Sequence, residues 1–270
     1  MEDKIENLLL TWEEYTKKLT SDLYLYEISG KKQSLSCVGT NHIYDPNSSK
    51  LIQIKNIFDQ FSSFKKAEET IVVIEARPEN ILQYSVDTHT DPFEIVKDSA
   101  EAGFIAKISQ DAGIEVVGLE LSRKEYIMMV ENIFSKNEVY YHYVSTITAQ
   151  WHRFKDKPEY DEYINKYINY FSKNAGWVNY EFSLSNFKKI HSEIFRSDFD
   201  LSNRQFFSDI TDPAKHGTII NDVARTISNK RDVHIAKSVI EFWNKGKSVF
   251  MLYGNSHVIR IEPVLKKFCV

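Results

Sequence analysis

Two tetrapeptides near opposite ends of the chain, Gly39-Thr40-Asn41-His42 and Gly254-Asn255-Ser256-His257, share the pattern Gly-x-x-His, and each follows a short apolar run. A neutral imidazole can bind a metal ion, take a proton from water or hydrogen-bond a carboxylate. Glycine three residues earlier suits a sharp strand-to-loop turn, because it takes positive φ or lets another group approach the backbone. Each histidine is therefore expected to be displayed and not buried. Either motif alone is compatible with a structurally bonded histidine; the two together at strand ends point to one shared site.

Carboxylates stand in comparable settings. Glu75 ends the apolar run Thr70 to Ile74 and is followed by Ala76-Arg77-Pro78, so Arg77 is expected either to orient Glu75, to hold an anionic group, or to form an ordinary ion pair. Glu120 ends the run Ile114 to Leu119. Glu101 has two readings: the third helical residue of a capping box begun by Asp98, or a ligand aimed at the strand ends. His, His and Glu are the ligand types of hydrolytic zinc, manganese or cobalt sites, which makes His42, His257 and Glu101 the candidate metal ligands. The same side chains serve metal-free hydrolysis, with histidine as general base and arginine on an oxyanion. The candidate catalytic residues are His42, Glu75, Arg77, Glu101 and His257, and the candidate substrate contacts are Asn41, Glu120, Arg231 and Asn255. No His-Glu-x-x-His, Gly-x-Ser-x-Gly, P-loop or dinucleotide-binding glycine motif occurs. His89, His142, His152, His191, His216 and His234 lack comparable settings.

The elements that must position these residues follow from periodicity. Ile5, Leu8, Leu9, Trp12, Tyr15 and Leu19 predict one amphipathic helix over residues 4 to 19. Asp22 to Ser29 and Ser34 to Val38 read as a strand pair around the turn Gly30 to Gln33. Leu51, Ile54, Phe58 and Phe61 line a helix after the polar Asp45 to Ser49. A helix over Asp98 to Ala112, closed by Gly113, leads to the strand Ile114 to Leu119, and Ser122-x-x-Glu125 opens another helix as a capping box. The helix Arg231 to Trp243 delivers the strand Ser248 to Tyr253. Runs apolar on both faces belong to parallel sheets covered by helices. The expected fold is a single α/β domain over residues 1 to 270. It has a mostly parallel sheet flanked by helices, an N-terminal strand pair, and a helical insertion or cap at about residues 126 to 228. The ligand cleft is expected outside the carboxyl ends of the strands.

At 270 residues and 42% hydrophobic the chain can bury a large core. A net charge of −4 without a basic stripe argues against nucleic acid. Leu8-Leu9-Leu10 is too short for a signal-peptide core or a membrane span, so a cytoplasmic protein, or one exported without a recognisable signal peptide, is expected. Cys37 and Cys269 have no metal-ligand spacing, and Cys37 is expected in the core. The tyrosines and tryptophan of the middle segment, among them Tyr140, Tyr141, Tyr143 and Trp151, are expected to pack together.

Leu23 to Gly30 followed by Leu35 to His42 resembles the opening of TraB/GumN/Tiki-type proteins, a strand pair leading into Gly-Thr-x-His. Asn229-Lys230-Arg231-Asp232, the helix after it, Gly246 to Phe250 and Gly254 to His257 are similar to that family's arginine-bearing helix, closing strand and second Gly-x-x-His. The resemblance covers roughly residues 22 to 123 and 220 to 268. It departs at Val258-Ile259-Arg260, where the family usually continues into Leu and Gly. The resemblance implies kinship with metal-dependent proteases, ChaN-like haem-binding proteins and, more distantly, erythromycin esterases. It assigns His42 and His257 to the paired motif histidines, Glu75 and Glu101 to the acidic positions and Arg231 to the helix arginine. The leading expectation is a hydrolase of a peptide, amide or ester bond acting on a small molecule or peptide, with or without a divalent metal. The alternatives are a protein that holds haem, a small ligand or a peptide in the same cleft, and an effector-like interaction protein.

Overall fold

A computed structural model describes residues 2–18, 22–63, 66–81 and 91–270; His89 lies outside them. The chain divides into two compact units, one of residues 1–120 with 231–270 and one of residues 121–230.

The first unit is α/β. Strands β1 (Tyr24–Ser29), β2 (Ser34–Thr40), β3 (Thr70–Ile74), β4 (Glu115–Gly118) and β5 (Ser248–Gly254) form one sheet in the order β1-β2-β5-β3-β4. Only β1 pairs antiparallel, with β2; the other pairings are parallel. Successive side chains of a strand point to opposite faces, and the two faces have separate cores. Leu35, Cys37, Val73, Val249 and Met251 pack in one cluster with Ile235, Val239 and Ile240, whereas Val38, Val72, Ile74, Phe250 and Leu252 pack in another with Leu51, Ile54, Phe58 and Phe104. Helices cover both sides, as a central parallel sheet requires. In order they are α1 (Glu2–Glu6), α2 (Trp12–Lys18), α3 (Ser49–Ser62) and α4 (Val96–Asp111), then, after the middle segment, the latter part of a long helix (Ile219–Asn244) and the closing helix (Asn255–Phe268).

The single helix expected over residues 4 to 19 is two helices. Thr11 starts the second: its hydroxyl accepts from the Glu14 N–H at 3.2 Å, and the Glu14 carboxylate accepts from the Thr11 N–H at 2.9 Å. That reciprocal cap restarts the helix where an apolar count alone runs straight through.

The second unit is helical, with α5 (Arg123–Val130), α6 (Lys136–Trp151), α7 (Tyr160–Ala175), α8 (Leu184–Phe195), α9 (Arg204–Thr211) and the start of the long helix, α10. Ser122 and Glu125 make the expected capping box, and Ser135 with Glu138 makes a second. Tyr140, Tyr141, Tyr143 and Tyr160 are buried among Phe171, Phe187 and Phe207, with Trp151, Tyr163 and Tyr167 packed against them. Tyr170 is exposed. The aromatic excess of this segment thus builds a core. No helix among the described residues is long and apolar enough to cross a membrane.

In the first unit the parallel register brings Thr40 of β2 opposite Gly254 of β5, and Leu252 and Gly118 opposite Ile74 of β3. Four strands therefore finish along one edge, and the residues just beyond them are His42, His257, Glu75 and Glu120. Gly39 is needed there for space and not for positive φ, the role the turn argument allowed: a Cβ on it would stand 2.5 Å from Asn255 Oδ1 and 3.2 Å from Asn255 Cα. Gly39→Ala is expected to cost about 1–3 kcal/mol, the usual range for overpacking, measured by denaturant unfolding.

Candidate functional site

Glu101 organises the first half of the site. It is 2% exposed; one oxygen accepts from the Thr40 hydroxyl and the other from the Ile43 N–H at 2.6 Å. The His42 Nδ1 lies 3.4 Å from the first of these oxygens. Burial alone would raise the Glu101 carboxyl. The bonds from His42, Ile43 and Thr40 outweigh it and hold the group below its ordinary range. The expected Asp98–Glu101 capping box does not form, because the chain breaks at Ala100 (φ 51, ψ −163) and no side chain caps α4. The break instead turns Glu101 inward. His42 is likewise left-handed, at φ 50. Two non-glycine residues thus hold sparsely populated backbone conformations around one recess of about 160 Å³, which His42, Glu75, Asp98 and Ala100 help to line. Such strain gathers where a structure over-determines a working geometry.

His257 organises the other half and is buried, not displayed as its glycine suggested, because it begins the closing helix, α11 (Asn255–Phe268). Its Nδ1 is 2.5 Å from Oδ1 of Asp232, a carboxylate with no exposed surface whose other oxygen accepts from Arg260. A carboxylate only accepts, so Nδ1 carries the proton and Nε2 is turned outward. That Nε2 lies 3.9 Å from Glu75 Oε1.

Glu75 sits between the halves. Arg231 donates to its Oε1 at 3.1 Å and the Gly254 N–H to its Oε2 at 2.8 Å. A Cβ on Gly254 would stand 3.1 Å from Glu75 Oε2, 3.9 Å from a ring carbon of His257 and 4.0 Å from His42 Nε2. Glycine there keeps open the space that both imidazoles face. Burial pushes the Glu75 carboxyl up, but the positive charges of His257, Arg231 and His42 and the Gly254 N–H bring it down to about 2. A carboxyl with a depressed folded-state pKa contributes stability that is fully present above its ordinary value of 4.5 and is lost as pH falls toward 2. The native protein is thus expected to lose more unfolding free energy over that window than Glu75→Gln, as acid-dependent denaturant titrations would measure.

Arg231 also donates to Glu120 at 2.8 Å, so one guanidinium joins two strand ends. Arg77 lies 4.0 Å from Glu79, and the arginine bonded to Glu75 is Arg231. Asn41 and Asn255 bind each other at 3.1 Å, and the Asn255 amide also donates to the Asp22 carbonyl at 3.3 Å. That pair ties the two motifs together. No group of three or more His, Cys, Asp or Glu among the described residues is placed to hold a metal ion. His42, His257 and Glu101 form no such group, and the Glu101 oxygens accept from Thr40 and Ile43.

Thr40, Asp232 and Arg260 escaped sequence reasoning. A signal existed for the last two: Asp232 lies on the stripe of Ile235, Ala236 and Val239, and Arg260 on that of His257, Ile261 and Val264, positions where a helix buries what it carries. His42 and Tyr44 also line a second recess, of about 330 Å³, with Asn41, Ser48 and Lys50. No family model matches the chain, and neither does any curated protein or solved structure, so the likeness to TraB/GumN/Tiki-type proteins stands on its motif residues.

Proposed function

We propose that the cleft hydrolyses a peptide, amide or ester bond, with His42 as the general base that activates water. The observation that carries this reading is one half-exposed imidazole, braced at Nδ1 by a buried carboxylate, that lines two recesses, one of them shared with the ionised Glu75. Glu101 favours the tautomer in which Nε2 can accept a proton. Once His42 is protonated, Glu101 and Glu75 offset the charge. Glu75, ionised far below neutral pH, is an electrostatic partner and not a proton donor. His257, held by Asp232, keeps its Nε2 on the Glu75 side at 3.9 Å, while Arg231 and the Gly254 N–H hold that carboxylate. None of these steps needs an ion, and the resemblance to TraB/GumN/Tiki-type proteins supports the same reaction class.

The test is a panel of chromogenic esters, amides and peptides assayed with the native protein and a His42 variant. The expected result is turnover of at least one bond class that the variant loses. No turnover of any class, together with saturable binding of haem or peptide, would replace this reading with that of a binding protein.

A further inference from the structure

Arg260 interrupts the apolar stretch Val258-Ile259-Arg260-Ile261 and is 2% exposed. A guanidinium is buried only where its charge and its donors are met. Here Nη1 donates to Asp232 Oδ2, Nε donates to the Leu10 carbonyl at 3.0 Å, and the guanidinium stands 4.1 Å from the centroid of the Trp12 ring. The Leu10 N–H donates back to the Arg260 carbonyl at 3.0 Å. The N-terminal segment therefore grips Arg260 by backbone and ring, and Arg260 grips Asp232.

We propose that Arg260, clamped by Leu10 and Trp12, is a positioning residue that fixes the Asp232 carboxylate and through it holds His257 as the Nδ1–H tautomer with Nε2 toward Glu75. A carboxylate bonded through one oxygen alone can turn about its Cβ–Cγ bond; bonded through both, it presents Oδ1 to a single place. Asp232 is bonded through both. The same contact places a positive charge beside a carboxylate that would otherwise be buried with only the imidazole for company. The clamp is built from residues far from the cleft. Leu10 and Trp12 precede the first strand, and their contacts with Arg260 link them to Asp232. The proposal rests on the hydrolytic reading for its effect on turnover and on nothing but geometry for its effect on His257.

The experiment is side-chain nitrogen NMR of ¹⁵N-labelled full-length protein at one fixed pH with the His257 ring neutral, and His257→Gln identifies the signal. The native protein is expected to show one species, protonated at Nδ1. Arg260→Met, which keeps an unbranched stem against Trp12 but loses charge and donors, is expected to lose that signature to a mixture of tautomers. Arg260→Lys is expected to restore most of it, whereas a purely structural role would leave the tautomer unmoved in both. A single Nδ1–H species in folded Arg260→Met overturns the proposal. Should Arg260→Met fail to fold, Trp12→Leu carries the test: a partial loss of the Nδ1–H species supports the clamp, and an unchanged spectrum overturns it. Native protein that shows the signature and the Arg260 dependence yet hydrolyses nothing would leave the clamp standing and remove the hydrolytic reading.

Discussion

Asp232→Ala is expected to destabilise the protein by about 3–5 kcal/mol, the cost of stripping one partner from a buried ion pair. The reason is what remains. Arg260 is 2% exposed and keeps its full charge, so removing Asp232 takes an anionic partner from a buried guanidinium. His257 Nδ1 loses its acceptor in the same step. Asp232→Asn is expected to cost less, because the amide oxygen can still accept one of the two bonds. Urea unfolding monitored by circular dichroism measures both, and a change below about 1 kcal/mol for the alanine variant, typical of a surface substitution, would refute the burial argument.

Replacing His42 is expected to leave stability nearly unchanged and to lower hydrolysis by about 10²- to 10⁴-fold, the usual contribution of a positioned general base. Asparagine is the better substitute. His42 holds φ 50, where asparagine is favoured over alanine, so His42→Asn removes the imidazole with less added backbone strain than His42→Ala. Its side chain is 51% exposed, and little packing is lost with it. The rate on the best substrate of the panel, compared at matched folded fraction, measures the effect. A rate within threefold of native would assign the base elsewhere.

The strand ends are legible because apolar runs mark strands covered by helices, and each run stops at a polar residue that the sheet edge then displays. Glu75 and Glu120 were read that way, and the parallel register places both beside Arg231. What bonds to what was harder to see. Thr40 and Glu101 are 61 residues apart, and their contact depends on a left-handed Ala100 that no propensity favours. The capping-box reading of Asp98 and Glu101 failed for that reason: local spacing supplied a bland partner, and tertiary bonds from Thr40 and Ile43 supplied a stronger one. Of the two roles open to glycine in the motifs, positive φ and close approach, Gly39 and Gly254 take the second: they make room for Asn255 and for Glu75, neighbours that emerge only once β2 and β5 lie side by side. Closeness in sequence offers Arg77 as one partner for Glu75, yet the guanidinium that reaches Glu75 comes from a helix 156 residues away. The charges on the buried stripes of α10 and α11 were the clearest signal passed over, since an Asp or Arg on such a stripe must find its opposite inside.

Carbethoxylation of the native protein by diethylpyrocarbonate, with the modified histidines located by mass spectrometry and hydrolysis followed in the same samples, tests His42 as the base. Half-exposed His42 reacts readily and His257, buried against Asp232, does not; activity is predicted to fall in proportion to His42 modification and to return with hydroxylamine. Full modification of His42 with undiminished hydrolysis would contradict the account.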